Sequence, residues 1–395
     1  MKTSAIALWM LGFCAASSWS RDFQVRVDPA DANYTNAIVT AEVPADFPGS
    51  GMLKEKRTEI PFQKSNESAI VFVIPKLSMG KRREFTVEKA APRATAIADL
   101  ENGQMVISVS GKKAFVYQGR ETDLPRPDIK PIYKRGGYIH PVYTPGGKVI
   151  TDDYPPNHLH HHGIWFPWTK TVFEGRDVDF WNMGEGKGKV DFLKFGAHWS
   201  GPVEAGFVVE HRFTDLTSGQ PKAALDETWT VTAYAIPDAD YFVFDLVSTQ
   251  KCATAFPLEL PKYYYGGLGF RGNFAWNGEN NCFFLTSDGE TNRVKGNETR
   301  GNWCHIGGTL DGELAGLAIL SHPENFRAPQ PMRLHPKEPF FCFAPSQLGD
   351  WSIEPGKPYV SRYRFMVKDG APKKSELDAM WMAYAKPPKV TVTEK

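Results

Sequence analysis

The sequence has no excess of charge of either sign. It contains 46 Lys and Arg residues against 45 Asp and Glu residues, for a formal net charge of +1 at pH 7. Proteins that bind nucleic acid or anionic membranes by electrostatics usually carry a basic excess or basic clusters. The composition therefore gives no reason to expect a nucleic-acid partner. Hydrophobic residues make up 42% of the 395 positions, which is enough for a large core and argues against disorder.

Long hydrophobic runs are missing beyond the N-terminus, so we expect no transmembrane segment. The first twenty residues, MKTSAIALWMLGFCAASSWS, combine Lys2, an apolar stretch and small residues at the end. This pattern predicts a signal peptide over residues 1–20 and a secreted or periplasmic protein that begins near Arg21. Lipoprotein anchoring at Cys14 is the less favoured alternative, because Phe13 stands where a small residue is expected.

Cysteine is scarce, and the cysteines after the signal peptide are too far apart for a zinc knuckle. They are Cys252, Cys282, Cys304 and Cys342. Since an exported protein permits disulfides, free buried thiols and one disulfide are both consistent with the sequence. The chain also has no G-x-S-x-G and no H-E-x-x-H motif, so it offers neither a nucleophile elbow nor a zincin-type metal site.

Helical periodicity is nearly absent, and strand patterns dominate. Short alternating segments separated by turns predict a small immunoglobulin-like β-sandwich over residues 21–91. After a linker with Pro92, longer strands predict a large antiparallel β-sandwich domain over residues 95–395. The segment Ser375–Ala385 alone carries a helix pattern. The predicted fold class is therefore all-β, with two sandwich domains and one short C-terminal helix.

Four of the ten histidines lie in the segment NHLHHHGIWFPW. If it is a strand, His158, His160 and His162 share one face and could hold a divalent metal ion. If it is a turn, as Pro155 and Gly163 also allow, the side chains point apart. Because imidazole transfers protons near neutral pH, we expect catalytic acid–base roles. The expected catalytic histidines are His158, His160 and His161, and a metal site at His158, His160 and His162 is the alternative.

A second group of polar and aromatic residues follows in FEGRDVDFWN and in later segments. Charged groups next to an indole ring are typical of sugar-binding sites. We expect Asp179 or Glu227 to be the carboxylate partner of the histidines, and Arg176, Asp179 and Trp181 to border the same cavity as the histidine run. The residues expected to bind substrate are Arg176, Trp181, Asn182, His211, Lys262, Arg271, His322 and Arg327.

Five segments in order, GGYIHPVYTPGG, DDYPPNHLHHHGIWFPW, FEGRDVDFWN, GGLGFRG and SHPENFRAPQP, resemble blocks of the PmoA-like family and cover most of Arg135 to Gly370. The positions that fit the family's D-H-P-H-[HQ]-[HR]-G block are His158, His160, His161 and Gly163. Asn157 and Leu159 depart from it, and His162 falls where some relatives carry Arg. The resemblance implies a bacterial envelope or secreted setting alongside sugar-modifying enzymes. The methane oxygenase of the family name is a multi-span membrane protein, so we do not expect that activity.

The sequence therefore predicts an exported carbohydrate-active enzyme that uses a His-rich cleft for acid–base chemistry on a sugar or glycoside. The all-β pattern with this cleft also resembles the mutarotase-type supersandwich. The alternative is a non-catalytic carbohydrate-binding protein of the envelope. An enzyme should bring the histidines and a carboxylate into one pocket, whereas a binding module should show an exposed aromatic platform and dispersed histidines. A third hypothesis, an assembly or scaffold protein, rests on the N-terminal domain.

Overall fold

The computed structural model describes residues 22–29, 31–121 and 123–395. The predicted signal peptide and Cys14 lie outside these residues. In the described part of the chain, no helix is both long enough and apolar enough to cross a membrane.

The regular elements are almost all strands. Those of the N-terminal region are β1 (Phe23–Asp28), β2 (Tyr34–Glu42), β3 (Ser50–Glu55), β4 (Thr58–Asn66), β5 (Ala69–Leu77) and β6 (Arg83–Glu88). There follow β7 (Ala96–Glu101), β8 (Gln104–Val109), β9 (Lys112–Gln118), β10 (Tyr138–Val142), β11 (Ile164–Trp165), β12 (Thr171–Phe173), β13 (Arg176–Val178), β14 (Gly188–Trp199), β15 (Glu204–Asp215), β16 (Lys222–Tyr234) and β17 (Tyr241–Cys252). The remaining elements are β18 (Leu258–Leu260), β19 (Gly269–Arg271), β20 (Cys282–Thr286), α1 (Arg293–Gly296), β21 (Arg300–Gly301), β22 (Trp303–Leu310), β23 (Glu313–Ser321), β24 (Gln330–Leu334), β25 (Phe340–Phe343), β26 (Trp351–Ile353), β27 (Tyr359–Asp369), α2 (Lys374–Ala385) and β28 (Lys389–Glu394).

The N-terminal strands form one seven-stranded sheet in the order β2-β5-β4-β3-β6-β1-β28. Buried and partly exposed residues alternate along β1, as the period-2 pattern of its sequence predicts. Most buried apolar residues of the sheet meet in one cluster, whereas Ile38, Val71 and Val73 pack against residues of the large domain. The last strand, β28, pairs with β1 from Phe23↔Glu394 to Asp28↔Lys389. The sequence-based division placed residues 389–394 in the large domain, and this pairing corrects it.

The large domain contains a four-stranded sheet, β13-β12-β18-β26, and two larger sheets. The nine-stranded sheet has the order β21-β24-β25-β19-β11-β10-β9-β8-β7, and the eight-stranded sheet has the order β14-β15-β16-β17-β27-β23-β22-β20. The two sheets share one apolar core, in which the rings of Phe115 on β9 and Phe244 on β17 lie 4.6 Å apart. The predicted all-β fold, with antiparallel sheets and a short C-terminal helix, is confirmed; the helix is α2.

All four cysteines within the described residues are free, and three of them are buried. Burial raises the pKa of Cys282 and Cys342 to about 12. Of the two states that the sequence allowed, the structure has the free thiols, packed as small apolar residues.

The nine-stranded sheet brings distant segments of the chain together at one end. β11 is antiparallel to β19, and β19 is antiparallel to β25, so β11 and β25 run in the same direction. The histidine run enters β11, and the turn between β24 and β25 enters β25. Because both segments precede parallel strands, they meet at the same end of the sheet.

Candidate functional site

The histidine run is a turn and not a strand. The backbone N–H of His158 donates to Pro155 O at 2.9 Å, and the N–H of His161 donates to His158 O at 2.9 Å. The N–H of Tyr154 then closes the segment on His161 O at 3.1 Å. The strand hypothesis, with alternate histidines on one face, is therefore wrong, and the segment is a turn. The expectation that the side chains of a turn point apart is also wrong, because the rings of His158, His160 and His161 contact one another.

Three of these histidines line a cavity of about 230 Å³, which we call the histidine cleft. Its lining residues are His158, His160, His161, Trp181, Asn182, Tyr264, Tyr265, Arg333, His335 and Phe340. In the described part of the chain, no Asp or Glu side chain lines the cleft. The cleft thus combines imidazoles, aromatic rings, one amide and one guanidinium group.

The imidazole rings pack against one another. The His158 ring stacks on His161 with centroids 4.6 Å apart and planes 15° apart, and His160 meets His161 edge-on at 4.7 Å. The Phe340 ring stacks on the His161 ring, with the two centroids 5.0 Å apart. His161 is only 4% exposed, and its buried Nδ1 has no hydrogen-bond partner. A buried polar atom without a partner, in a residue that lines a cavity, is a group that a ligand could satisfy.

Burial keeps these imidazoles neutral. Burial, and then the neighbouring His158, lowers the pKa of His160 to about 3, and burial lowers the pKa of His335 to about 4. Burial also lowers the pKa values of His158 and His161. Each ring therefore offers one N–H donor and one acceptor nitrogen at neutral pH.

The tautomer of His335 follows from its backbone contacts. Its Nδ1 accepts a hydrogen bond from the N–H of Glu338 at 2.9 Å, and lies 3.3 Å from the N–H of Lys337. Since Nδ1 accepts, the proton of the neutral ring is on Nε2. His335 is thus a donor at its Nε2.

Asp179 does not line the cleft but holds Asn182, which does. Oδ2 of Asp179 accepts from Nδ2 of Asn182 at 2.7 Å, and Oδ1 accepts from the backbone N–H groups of Trp181 and Asn182, both at 2.8 Å. Nδ2 of Asn182 also lies 3.1 Å from the hydroxyl of Tyr265. The expected catalytic role of Asp179 is therefore corrected: its carboxylate is a positioning group.

Trp181 forms both a wall of the cleft and part of the core. It is 1% exposed, and its ring lies 4.9 Å from Trp165 and 5.2 Å from Tyr265. Tyr264 is 45% exposed and lies under the guanidinium of Arg333, 5.3 Å from Cζ to the ring centroid. The expectation that Trp181 borders the histidine cavity is confirmed. The exposed aromatic surface there comes from Tyr264.

Arg271 lies behind the histidines and is fully buried. Its Nη2 donates to Asn157 Oδ1 at 3.2 Å and to Asn277 Oδ1 at 2.8 Å, and lies 3.0 Å from Glu338 Oε2. It is not among the lining residues, so the expected contact of Arg271 with substrate is corrected. Its positive charge helps to lower the pKa of His158.

His162 points away from the other three histidines. Its Nδ1 lies 2.6 Å from Asp153 Oδ1, and its ring stacks on Tyr138 at 4.3 Å. His158, His160 and His162 therefore do not converge, which corrects the ligand set of the metal alternative. Across the described ranges, no three His, Cys, Asp or Glu side chains are grouped to hold a metal ion.

His211 and Glu227 lie inside the sandwich and not at the cleft. Nδ1 of His211 is 2.9 Å from Glu227 Oε2, and Nε2 of His211 is 2.6 Å from the hydroxyl of Tyr117. The other carboxylate oxygen of Glu227 accepts from Ser248 Oγ at 2.5 Å and from Gln250 Nε2 at 2.8 Å. The expected catalytic role of Glu227 and substrate role of His211 are corrected, because both belong to a buried polar network.

The remaining residues expected to bind substrate also lie elsewhere. Arg176 pairs with Asp215 at 2.8 Å, and Arg327 donates to the carbonyl groups of Pro345 and Gly349, both at 2.8 Å. The ring of His322 meets that of Tyr384 at 5.0 Å. Lys262 is not among the cleft's lining residues. The expectation that Arg176 borders the histidine cavity is therefore wrong.

Sequence reasoning missed Arg333, His335 and Phe340. They lie in the segment RLHPKEPFF, at the end of β24 and the start of β25. The sequence did contain a signal: this segment combines a histidine with Arg, Pro and aromatic residues, a composition similar to that of the histidine run.

A second cavity, of about 270 Å³, lies where the N-terminal sheet meets the large domain. Its walls include Met52, Ile60, Val73, Pro202 and Ile236. It is mainly apolar and has Arg93 as its one ionisable lining residue among those that the structure describes. This cavity therefore lacks the imidazole cluster of the histidine cleft.

The fold and the cleft define an all-β protein of antiparallel sheets with a histidine-lined pocket. The chain belongs to DUF6807, a family of unknown function, whose family model matches residues 104–382. Comparison with curated proteins finds no match.

Several solved structures match the chain at low identity and low TM-score. A galactose mutarotase related enzyme from Lactobacillus acidophilus is 11% identical, with a TM-score of 0.33, over 70% of this chain and 100% of that chain. An α-mannosidase from Enterococcus faecalis is 9% identical, with a TM-score of 0.42, over 96% of this chain and 46% of that chain. A GH36 α-galactosidase from Geobacillus stearothermophilus is 10% identical, with a TM-score of 0.28, over 75% of this chain and 41% of that chain. The chain spans less than half of the two glycosidases, and similarity at this level says nothing about its activity.

Proposed function

We propose that the histidine cleft is the active site of a carbohydrate-active enzyme, in which imidazoles transfer a proton to or from a bound sugar. The observation that carries this proposal is the convergence of His158, His160, His161 and His335 in one cavity with an aromatic wall. Aromatic rings pack on the apolar faces of sugars, and neutral imidazole and amide groups can exchange hydrogen bonds with hydroxyl groups. Export through the predicted signal peptide would bring the protein to extracellular or periplasmic sugars.

The side chains of the cleft favour some reactions over others. Glycosidases that use two carboxylates need an acid and a base or nucleophile next to the sugar. Among the described residues that line the cleft there is no carboxylate, so such a glycosidase is the least supported reaction. An imidazole that is neutral at neutral pH can accept a proton from a sugar, as elimination and epimerisation require. We therefore favour these two reactions over hydrolysis.

The non-catalytic alternative keeps one observation in its favour. The expectation for an enzyme was a cluster of histidines together with a carboxylate, and the cleft supplies the cluster without a carboxylate in its lining. A binding protein needs the aromatic wall and the polar groups but no proton transfer. Measurement of binding and of chemistry on the same protein separates the two.

The test uses wild type and His158→Ala/His160→Ala, with His198→Ala as the matched control because His198 is exposed and outside the cleft. Binding of a sugar panel is measured by calorimetry. Chemistry is followed by proton NMR in deuterium oxide. Epimerisation replaces a carbon-bound proton by deuterium, elimination removes that proton and adds a vinyl signal, and both changes are counted here as exchange. The proposal expects binding and exchange in wild type and in the control, and loss of exchange in the double variant.

Other outcomes count against the proposal. Binding without exchange in wild type would identify a binding protein. Stoichiometric zinc, nickel or iron in wild type, lost in the double variant, would replace acid–base chemistry by metal chemistry. Unchanged binding and exchange in a folded double variant would show that the histidine run is a structural turn.

A further inference from the structure

We propose that the ligand of the histidine cleft is a sugar that carries a carboxylate, as uronic acids do, and that Arg333 binds this group. This inference rests on the proposed function, because it names the substrate class of the same site. Its evidence is the distribution of charge around the cleft.

Arg333 has more N–H donors than the hydrogen bonds within the protein use. It is partly exposed, lines the cleft, and donates one hydrogen bond from Nη1 to the neutral Asn297 Oδ1 at 3.0 Å. Among the residues that the structure describes, no Asp or Glu forms a salt bridge with it. A guanidinium group has five N–H donors in a planar fork that matches a carboxylate. The position of the group over the Tyr264 ring keeps this fork in place beside the cavity.

The two carboxylates next to the cleft are already occupied. Glu338 Oε2 accepts from Asn157 Nδ2 at 2.6 Å and pairs with the buried Arg271. Asp179 accepts from two backbone N–H groups and from the amide of Asn182, and it is not among the lining residues. Neither carboxylate forms an ion pair with Arg333. The lining therefore carries one positive charge, that of Arg333, and no negative charge.

The imidazoles fit an anionic ligand as well. His335 carries its proton on Nε2, as its backbone contacts require, and a neutral N–H can donate to a carboxylate or hydroxyl oxygen. A negative charge near an imidazole also favours its protonated form. A bound carboxylate would thus move the histidines toward the pH range in which they can both give and take a proton. A neutral sugar would leave them as they are.

The size of the cavity limits the ligand. At about 230 Å³, it is below the range of roughly 300–1,000 Å³ that is usual for drug-sized ligands. One sugar ring with a carboxylate substituent is of suitable size, and further units of an oligosaccharide would extend into solvent. The inferred substrate unit is therefore a single acidic sugar.

The test compares acidic sugars with their uncharged forms by calorimetry near neutral pH. The probes are galacturonate and glucuronate, the methyl ester of each, and galactose and glucose. We expect wild type to bind at least one uronate about 10- to 100-fold more tightly than its ester, the range of one charge-assisted contact. Arg333→Gln should abolish this difference, and Arg333→Lys should retain part of it. Arg212→Gln is the matched control, since Arg212 pairs with Asp226 outside the cleft.

The outcomes separate this inference from the proposed function. Equal affinity of wild type for acid and ester overturns the inference and leaves the proposed function standing, and this comparison does not depend on any variant. A preference for the acid that persists in folded Arg333→Gln overturns the role of Arg333. Absence of binding for every sugar of the panel counts against the inference and the proposed function together.

Discussion

Asn182 and Asp179 are joined by two hydrogen bonds: Nδ2 of Asn182 donates to Oδ2 at 2.7 Å, and its backbone N–H donates to Oδ1 at 2.8 Å. The carboxylate thereby fixes both the backbone and the side chain of a cleft residue. A group can contribute strongly to a site without touching the ligand, since misplacement of a contacting residue weakens its interactions.

Asp179→Ala should therefore weaken sugar binding by about 10-fold and reduce the free energy of unfolding by about 1–3 kcal/mol, because donors that it now satisfies lose their partner. Calorimetry and urea denaturation measure the two effects. Asp177→Ala is the matched control, since Asp177 is exposed in the same segment. Undiminished affinity in Asp179→Ala would show that Asn182 is held by other contacts.

Tyr264→Ala should weaken sugar binding by about 5- to 10-fold at little cost in stability. The ring is 45% exposed, so its removal deletes ligand-facing surface without leaving a core cavity. Calorimetry on a variant with unchanged thermal unfolding checks this. If affinity is the same as in wild type, the ligand does not reach Tyr264.

Trp181→Ala should reduce the free energy of unfolding by about 3–5 kcal/mol, the usual effect of removing a buried aromatic side chain. The ring is 1% exposed and packs against Trp165 and Tyr265. A loss of sugar affinity in this variant would therefore reflect both the reduced stability of the protein and the loss of stacking on the sugar. A stable Trp181→Ala protein with weak sugar binding would show instead that Trp181 acts mainly as a ligand platform.

Glu227→Ala should reduce the free energy of unfolding by about 3–5 kcal/mol and leave sugar affinity unchanged where the protein is folded. The change removes the partner of His211 and leaves Ser248 and Gln250 without their acceptor inside the sandwich. Denaturation with calorimetry of the folded fraction is the measurement. Normal stability of the Glu227→Ala variant together with a loss of turnover would show instead that Glu227 has a catalytic role.

The contribution of His160 and His335 to stability should fall as the pH is lowered from about 7 toward 4. Burial lowers the folded-state pKa of His160 to about 3 and of His335 to about 4, below an unfolded value of about 6.5. In that window the unfolded chain binds more protons, so the stabilisation is complete above about pH 6.5 and is lost as the pH falls toward the folded pKa values. His160→Gln/His335→Gln should show a smaller pH slope in urea unfolding than His198→Gln. Equal slopes would mean that these rings are protonated in the folded protein.

The fold class was predictable because strand alternation and the helix pattern of α2 are local signals. The pairing of β28 with β1 was not, since it joins opposite ends of the chain. The density of histidines in the sequence pointed to the segment that lines the cleft. The directions of the individual side chains depend on the hydrogen bonds of the turn, which the strand hypothesis did not include. Arg333 and His335 join the site only through the pairing of β11, β19 and β25. The signal peptide and the resemblance to the PmoA-like family stay predictions.

The position of Glu227 shows a second limit of sequence reasoning. The alternation of β16 predicts that Glu227 shares a face with Leu225 and Trp229, and that face is buried. A buried carboxylate can be catalytic or structural, and only its partners decide which. Here the partners are His211, Ser248 and Gln250, all inside the sandwich.

The most direct test of the account is a crystal structure of the protein with the tightest-binding sugar of the panel. The account predicts electron density for one sugar ring in the histidine cleft, within hydrogen-bond distance of Asn182 and at least two of the imidazoles, with its carboxylate on Arg333. Density for the sugar in the apolar cavity beside the N-terminal sheet, or on a surface away from His158 and His160, would contradict it.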